Sequence, residues 1–156
     1  MKERVYLRPL CVEDAAVSYK WRNDVEVWKY TASRPNIFVT EEIEREWAQR
    51  VILDNTRRNF AICLAPSNRY IGNIYLVNIS DGKGELGVFI GEKDCWGLGY
   101  AREALNLLKD ISCRELGVKQ IKIGVNSKNL PALVTYLRCG AVIDDDMWLE
   151  LSLDTK

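Results

Sequence analysis

The sequence of 156 residues contains no histidine. Imidazole carries the proton in Ser-His-Asp and Cys-His catalysis and is a ligand in most zinc sites. Its absence therefore excludes both kinds of catalysis and argues against a zinc site. Any proton transfer must instead use Glu, Asp, Tyr, Lys, Cys, the backbone or water.

Cysteine is present, but not in a pattern that binds metal or forms a disulfide framework. The chain has five cysteines, an odd number, and no two of them have the CxxC spacing. We therefore expect no metal, and reduced cysteines that pack as small apolar groups. They are Cys11, Cys63, Cys95, Cys113 and Cys139.

The chain also lacks an excess of charge of one sign and lacks long apolar runs. Lys and Arg together number 22, as do Asp and Glu, whereas a nucleic-acid-binding domain carries a basic stripe. No apolar run approaches the ~20 residues that span a bilayer, and the first residues lack the apolar region of a signal peptide. We expect a cytoplasmic protein with no nucleic-acid or membrane partner, folded as one domain over residues 1–156.

The distribution of apolar and turn residues predicts a mixed α/β fold. Three strand-like runs in succession indicate an antiparallel meander, and the strand–helix–strand unit after them indicates a mixed sheet with helices on both faces. In the second helix, capped by Thr40, the residues Ile43, Trp47 and Val51 recur at helical spacing and predict its buried face. The predicted strands are 5–8, 59–64, 70–79, 85–90, 120–125, 141–143 and 147–153. The predicted helices are 13–21, 41–51, 101–116 and 131–138.

A glycine-containing turn, Asp94-Cys95-Trp96-Gly97-Leu98-Gly99-Tyr100-Ala101, lies between a predicted strand and a predicted helix. Because glycine has no Cβ, the backbone of the turn can approach a ligand closely. The first turn of the helix that follows offers unpaired N–H groups to an anion. The turn therefore indicates a phosphate site. The alternative is a turn that serves only the fold and binds no ligand. The further glycine and acidic residue of a Rossmann site are missing, as is the Walker lysine.

The block Cys95-Trp96-Gly97-Leu98-Gly99-Tyr100-Ala101-Arg102-Glu103-Ala104 resembles the phosphate loop of the GCN5-related N-acetyltransferase (GNAT) family. It is most similar to the branch that contains the ribosomal-protein N-terminal acetyltransferases. A second family motif is matched about 30 residues later by Asn129-Leu130-Pro131-Ala132 and Tyr136-Leu137-Arg138-Cys139-Gly140-Ala141. Two positions depart from the pattern: Asp94 replaces a Gln or Arg, and Ala132 replaces a Ser.

The resemblance implies that acetyl-CoA is the co-substrate. The amides of Gly97, Leu98, Gly99, Tyr100 and Ala101 would hold its diphosphate. The strand with Val88 and Ile90 would pair with the pantetheine arm, where the sheet parts between two parallel strands. Arg102, with Lys93 and Lys128, would meet the phosphates unless these side chains are simply solvated. Asn129 would bond the pantetheine amides, cap the helix, or do both.

The resemblance also implies two catalytic residues. Glu85, in Glu85-Leu86-Gly87, would act as the general base, directly or through water. Tyr136 would be the general acid for the sulfur, since a phenol can donate a proton to a thiolate. The alternatives are a surface glutamate at a strand end and a tyrosine that only packs on the sheet.

The acceptor would be a primary amine. Trp21 and Trp28 could stack on it and Asp24 could hold its positive charge, although both tryptophans could equally be core residues. We expect transfer of an acetyl group to a protein N-terminus or a small-molecule amine. The alternatives are a nucleotide-linked amino sugar as acceptor, a non-catalytic acyl-CoA-binding module, and a scaffold without a ligand. A homodimer is also compatible with the sequence.

Overall fold

The computed structural model describes residues 3–29, 37–124, 128–143 and 148–152. Its strands are β1 (Val5–Pro9), β2 (Arg58–Leu64), β3 (Tyr70–Ser80), β4 (Lys83–Ile90), β5 (Gln120–Gly124), β6 (Val142–Ile143) and β7 (Trp148–Ser152). Its helices are α1 (Ala15–Arg22), α2 (Glu41–Leu53), α3 (Tyr100–Arg114) and α4 (Leu130–Arg138). The predicted elements are confirmed to within a few residues. Val125, Met147 and Leu153, at the ends of predicted strands, lie outside the described residues.

One sheet runs through the described part of the chain in the order β1-β2-β3-β4-β5-β7-β6. All neighbouring strands are antiparallel except β4 and β5, which are parallel. The parallel pairing runs from Lys83 opposite Gln120 to Leu86 opposite Ile123. The second half of β4, from Gly87 to Ile90, has no described partner on that side. The meander and the parted parallel pair are therefore both present, as predicted.

The sheet is covered by helices on both faces. The larger core cluster lies under α3 and includes Leu76, Leu86, Leu105, Ile121 and Ile123. A smaller cluster on the other face is formed by Trp21 of α1 with Ala61, Cys63 and Tyr70. Burial of these apolar side chains supplies the main favourable term in folding.

The predicted buried face of α2 is wrong at its first position. Thr40 does cap the helix, because its side chain accepts a hydrogen bond from the Ile43 amide at 3.1 Å. Ile43 itself is 38% exposed, whereas Glu44 is 2% exposed and faces inward with Ala48 and Val51. The buried face of α2 therefore begins one residue later than predicted, at Glu44. Glu44 can be buried because its carboxylate is hydrogen-bonded by polar side chains.

Glu44 is held by side chains of α1. Its carboxylate accepts hydrogen bonds from Ser18 at 2.8 Å and from Arg22 at 3.0 Å. The Arg22 guanidinium also lies 4.4 Å from the ring centroid of Trp47 and 4.9 Å from that of Trp28. This ion pair joins α1, α2 and the segment that follows α1.

Cys63, Cys95 and Cys139 are buried, and Cys11 and Cys113 are half-buried, so the cysteines pack within the fold as the sequence predicted. In the part of the chain that the structure describes, no helix is long and apolar enough to cross a bilayer.

Candidate active site

The glycine turn takes a backbone conformation that requires its glycines. Gly97 has a φ of 73° and Gly99 a φ of 85°, both in the left-handed region. That region costs other residues about 1–2 kcal/mol. Helix α3 begins directly after Gly99. The amide N–H groups of residues 97–102 donate no hydrogen bond to any described residue, so a row of donors is left for an anion.

Arg4, which the sequence did not indicate, anchors this turn from the start of β1. Its guanidinium donates to the Leu98 carbonyl at 2.9 Å and lies 4.7 Å from the ring centroid of Tyr100. It also forms an ion pair with Glu103, in the first turn of α3. These contacts fix the turn against β1 and engage the Leu98 oxygen.

A second arginine, Arg69, pairs with Asp94. The carboxylate accepts two hydrogen bonds from Arg69, each 2.9 Å long, and Arg69 also bonds Glu92 at 3.2 Å. The hydrogen bonds from Arg69 hold the pKa of Asp94 below its usual value. The negative charge beside the predicted phosphate site is therefore compensated by a neighbouring guanidinium.

Substituting Arg69→Ala should weaken acetyl-CoA binding about 2- to 5-fold, because it leaves Asp94 uncompensated beside an anionic ligand. The effect should shrink at high salt, since exposed charges are screened. Calorimetric titration with CoA at two salt concentrations measures it. The double variant Arg69→Ala/Asp94→Asn should bind like the wild type. Equal weakening in the single and double variants would show that Arg69 acts in another way.

A cleft of about 390 Å³ separates the glycine turn from α4. Of the predicted residues, Gly97, Gly99 and Arg102 line it. Helix α4 contributes a wall that was not predicted from the sequence: Leu130, Pro131, Val134, Thr135 and Arg138. Leu130, Val134 and Arg138 recur every four residues, so the helical spacing would have identified this face. The cleft thus combines unpaired amides, two guanidinium groups and an apolar wall.

Helix α4 is fixed at both ends. At the start, the Asn129 side chain accepts a hydrogen bond from the Ala132 amide at 3.4 Å, so Asn129 is the N-cap. At the end, Lys109 of α3 donates to the Cys139 carbonyl at 3.1 Å. The cap accounts for Asn129 structurally, and its contact with the co-substrate stays a prediction.

The second half of β4 is bound to β3 on one side only. Val88 lies opposite Ile74, and Ile90 lies opposite Gly72. The Ile90 carbonyl accepts a hydrogen bond from the Trp96 indole at 2.7 Å. That oxygen is therefore engaged, and pairing of an extended ligand with this edge would use the neighbouring backbone groups.

The two predicted catalytic side chains belong to the parted strands and to α4. Glu85 lies on β4 in the parallel-paired half, with its carboxylate hydrogen-bonded by Asn78. Tyr136 is 6% exposed and packs in the core cluster on the α3 side of the sheet. Burial raises the pKa of the Tyr136 phenol, and the neighbouring Tyr75 and Cys139 raise it further. Among the described residues the Tyr136 hydroxyl has no hydrogen-bond partner.

The predicted acceptor residues are engaged within the fold. Trp21 and Trp28 are both buried and pack around Phe89, with ring centroids 5.9 Å and 4.9 Å from it. Asp24 is paired with Lys93 at 3.0 Å. Lys93 thus faces Asp24, and its predicted phosphate contact would require this pair to open. The role of these four residues toward a substrate stays a prediction.

The amides at the start of α3, which have no described hydrogen-bond partner, lie beside a sheet whose described parallel pairing ends at Leu86 and Ile123. Residues 4–142 match the family model described as "Acetyltransferase (GNAT) domain". The chain therefore belongs to the GNAT family of acetyltransferases, as its motifs indicated.

Two curated relatives are also N-acetyltransferases by name, and a solved structure shares the fold. The chain is 29% identical over 136 residues to an uncharacterized N-acetyltransferase p20 of Bacillus licheniformis, covering 84% of this chain and 75% of the relative. It is 28% identical over 145 residues to the probable N-acetyltransferase YjcK of Bacillus subtilis, covering 87% and 79%. A spermidine N-acetyltransferase from Vibrio cholerae, solved with CoA and spermine, has a TM-score of 0.86 at 22% identity over 97% and 96% of the two chains. This last similarity shows the fold.

Proposed function

We propose that this protein transfers the acetyl group of acetyl-CoA to a primary amine by direct attack of the amine on the thioester. The cleft between the glycine turn and α4 supports this proposal. Its unpaired amides and the guanidinium groups of Arg102 and Arg138 suit phosphates, while Leu130 and Val134 suit an apolar arm. The donor set therefore fits the chemistry of acetyl-CoA.

Acetyl-CoA supplies the activated acyl group, and the chain supplies binding and proton transfer. The amides of residues 97–101 would hold the diphosphate, and the edge of β4 at Val88, which has no described partner strand, would lie along the acyl arm. Glu85 accepts a proton from the acceptor ammonium, directly or through water, and the neutral amine then attacks the thioester carbon. The C–N bond forms, the C–S bond breaks, Tyr136 donates a proton to the departing sulfur, and the second nitrogen proton leaves to solvent. Exchange with solvent then restores both side chains.

The charge clusters near the end of β4 contain more carboxylates than cations, which favours a cationic acceptor. Asp24 and Glu26 share Lys93, and Glu92 and Asp94 share Arg69. A spermidine acetyltransferase of the same fold acts on a small cationic amine, which supports a small-molecule amine here. The relatives found do not support the ribosomal-protein branch. An amino-sugar acceptor, a homodimer and a cytoplasmic location stay predictions from the sequence.

Release of CoA thiol, measured across a panel of amines, tests the proposed function. The panel should contain polyamines, N-terminal peptides, aminoglycosides and nucleotide-linked amino sugars. Turnover with one class identifies the acceptor. Calorimetric CoA binding without turnover on any amine would instead identify a non-catalytic acyl-CoA-binding module. If CoA neither binds nor raises the melting temperature, the cleft is not a coenzyme site.

Substituting Glu85→Gln should lower kcat by about 10²–10⁴-fold while the affinity for acetyl-CoA stays unchanged. The loss should be greatest at low pH, where more of the amine is protonated and deprotonation is hardest. Steady-state rates across pH, with a CoA titration, measure both effects. Glu115→Gln, an exposed change after α3, is the matched control. Unchanged turnover across the pH range would remove Glu85 from the mechanism.

A further inference from the structure

Tyr75 lies across the sheet on the same face as Glu85. In the strand register Tyr75 is opposite Asn59 on β2 and opposite Gly87 on β4. A Cβ atom built on Gly87 would overlap the Cζ, Cε2 and hydroxyl atoms of Tyr75. The phenol end of Tyr75 therefore occupies the space that any other side chain at position 87 would fill.

Gly87, which the Tyr75 phenol covers, lies where the pairing of β4 with β5 ends. The last parallel pair between β4 and β5 is Leu86 with Ile123, so Gly87 is the first residue beyond the point where the strands part. The Tyr75 hydroxyl thus lies at the opening between the strands. Tyr136 packs on the opposite, α3 side, and Tyr75 raises the pKa of its phenol. The two phenols therefore approach the opening from opposite faces of the sheet.

The Tyr75 ring is held in place on both sides. Gly87 lies beneath it, and the Arg57 guanidinium lies 5.5 Å from its centroid. Arg57 is oriented by a hydrogen bond to the Asn59 side chain at 2.8 Å. Glu85 is two residues before Gly87 on the same strand face, about 7 Å along the strand at 3.3–3.4 Å per residue. Two water molecules in series can bridge a separation of that size between hydroxyl and carboxylate, since each hydrogen bond between oxygens spans about 2.7–2.8 Å.

We propose that Tyr75 is a further catalytic residue, whose hydroxyl contacts the acceptor amine and relays its proton to Glu85. The inference rests on the proposed acetyl transfer. The phenol oxygen accepts a proton from the ammonium while the phenol proton passes along the bridging waters, the last of which protonates the Glu85 carboxylate. One proton moves from nitrogen to Glu85, and Tyr75 ends neutral. Gly87 is needed because only glycine leaves room for the ring.

Tyr75→Phe separates the hydroxyl from the ring. Phenylalanine retains the packing between Arg57 and Gly87, so the melting temperature should change little. We expect kcat to fall about 10²-fold, most strongly at low pH, with the affinity for acetyl-CoA unchanged. Tyr6→Phe is the matched control, since Tyr6 is a phenol of β1 bonded to Asn68 at 2.9 Å; its kcat should match the wild type. A purely structural role for Tyr75 would leave the pH profile unaltered.

A second variant tests the part played by Gly87. Gly87→Ala displaces the Tyr75 ring and should also lower kcat, with CoA binding retained. Unchanged kcat and pH profile in Tyr75→Phe, with an active wild type, overturn this inference alone. Absence of turnover by the wild type on every amine overturns the proposed function and this inference together. Should Gly87→Ala fail to fold, Tyr75→Phe alone decides.

Discussion

Replacing Tyr136 by Phe is expected to slow acetyl transfer by about 10²–10⁴-fold with little loss of stability. The ring packs in the core of the α3 side, and phenylalanine retains that packing. The hydroxyl has no hydrogen-bond partner among the described residues, so removing it leaves no described group unsatisfied. The variant therefore tests the proton donor separately from the fold.

The expected pH dependence follows from the raised pKa of this phenol. Burial disfavours the phenolate, so Tyr136 stays protonated above the usual tyrosine pKa of about 10. The proton donor should therefore be present throughout the neutral and mildly alkaline range. Loss of wild-type activity in that range would have another origin.

Single-turnover release of CoA thiol, with melting curves, is the measurement that isolates the chemical step. Tyr19→Phe, a change on the outer part of α1, is the matched control and should behave like the wild type. An unchanged single-turnover rate in Tyr136→Phe would show that Tyr136 is a packing residue, as the sequence analysis allowed.

The features that could be predicted from the sequence are those that depend on residues close together in the chain. The glycine turn was recognised because a left-handed backbone at Gly97 and Gly99 is a local requirement of the residue type. The caps by Thr40 and Asn129 were recognised for a similar reason, since a cap bonds an amide three residues away. The meander followed from turn residues between alternating runs.

Features that depend on distant pairing could not be predicted in this way. Arg69 meets Asp94 across 25 residues, and Arg4 meets Glu103 across 99. No local pattern identifies such partners. The placement of Tyr75 over Gly87 requires the strand register, which a single sequence does not supply. The inward position of Glu44 was missed because a charged residue is buried only when paired, and its partners lie on another helix.

That buried ion pair leads to the largest expected change in stability. Arg22→Ala should lower the free energy of unfolding by about 3–5 kcal/mol. It leaves the Glu44 carboxylate, which is 2% exposed, with Ser18 as its remaining described hydrogen-bond donor. It also removes the guanidinium packed over Trp28 and Trp47. Chemical denaturation measures the loss, and each kcal/mol should correspond to about 2–4 °C in Tm.

Two further variants separate the buried charge from the lost packing. Arg22→Met/Glu44→Leu removes both charges and should recover much of the stability, because the cost of Arg22→Ala comes mainly from the unpaired carboxylate. Arg45→Ala breaks an exposed pair with Glu41, 3.6 Å apart, and should change stability by less than about 0.5 kcal/mol. If Arg22→Ala costs no more than Arg45→Ala, Glu44 is not buried as a charged group. The junction of α1 and α2 must then be held by apolar contacts.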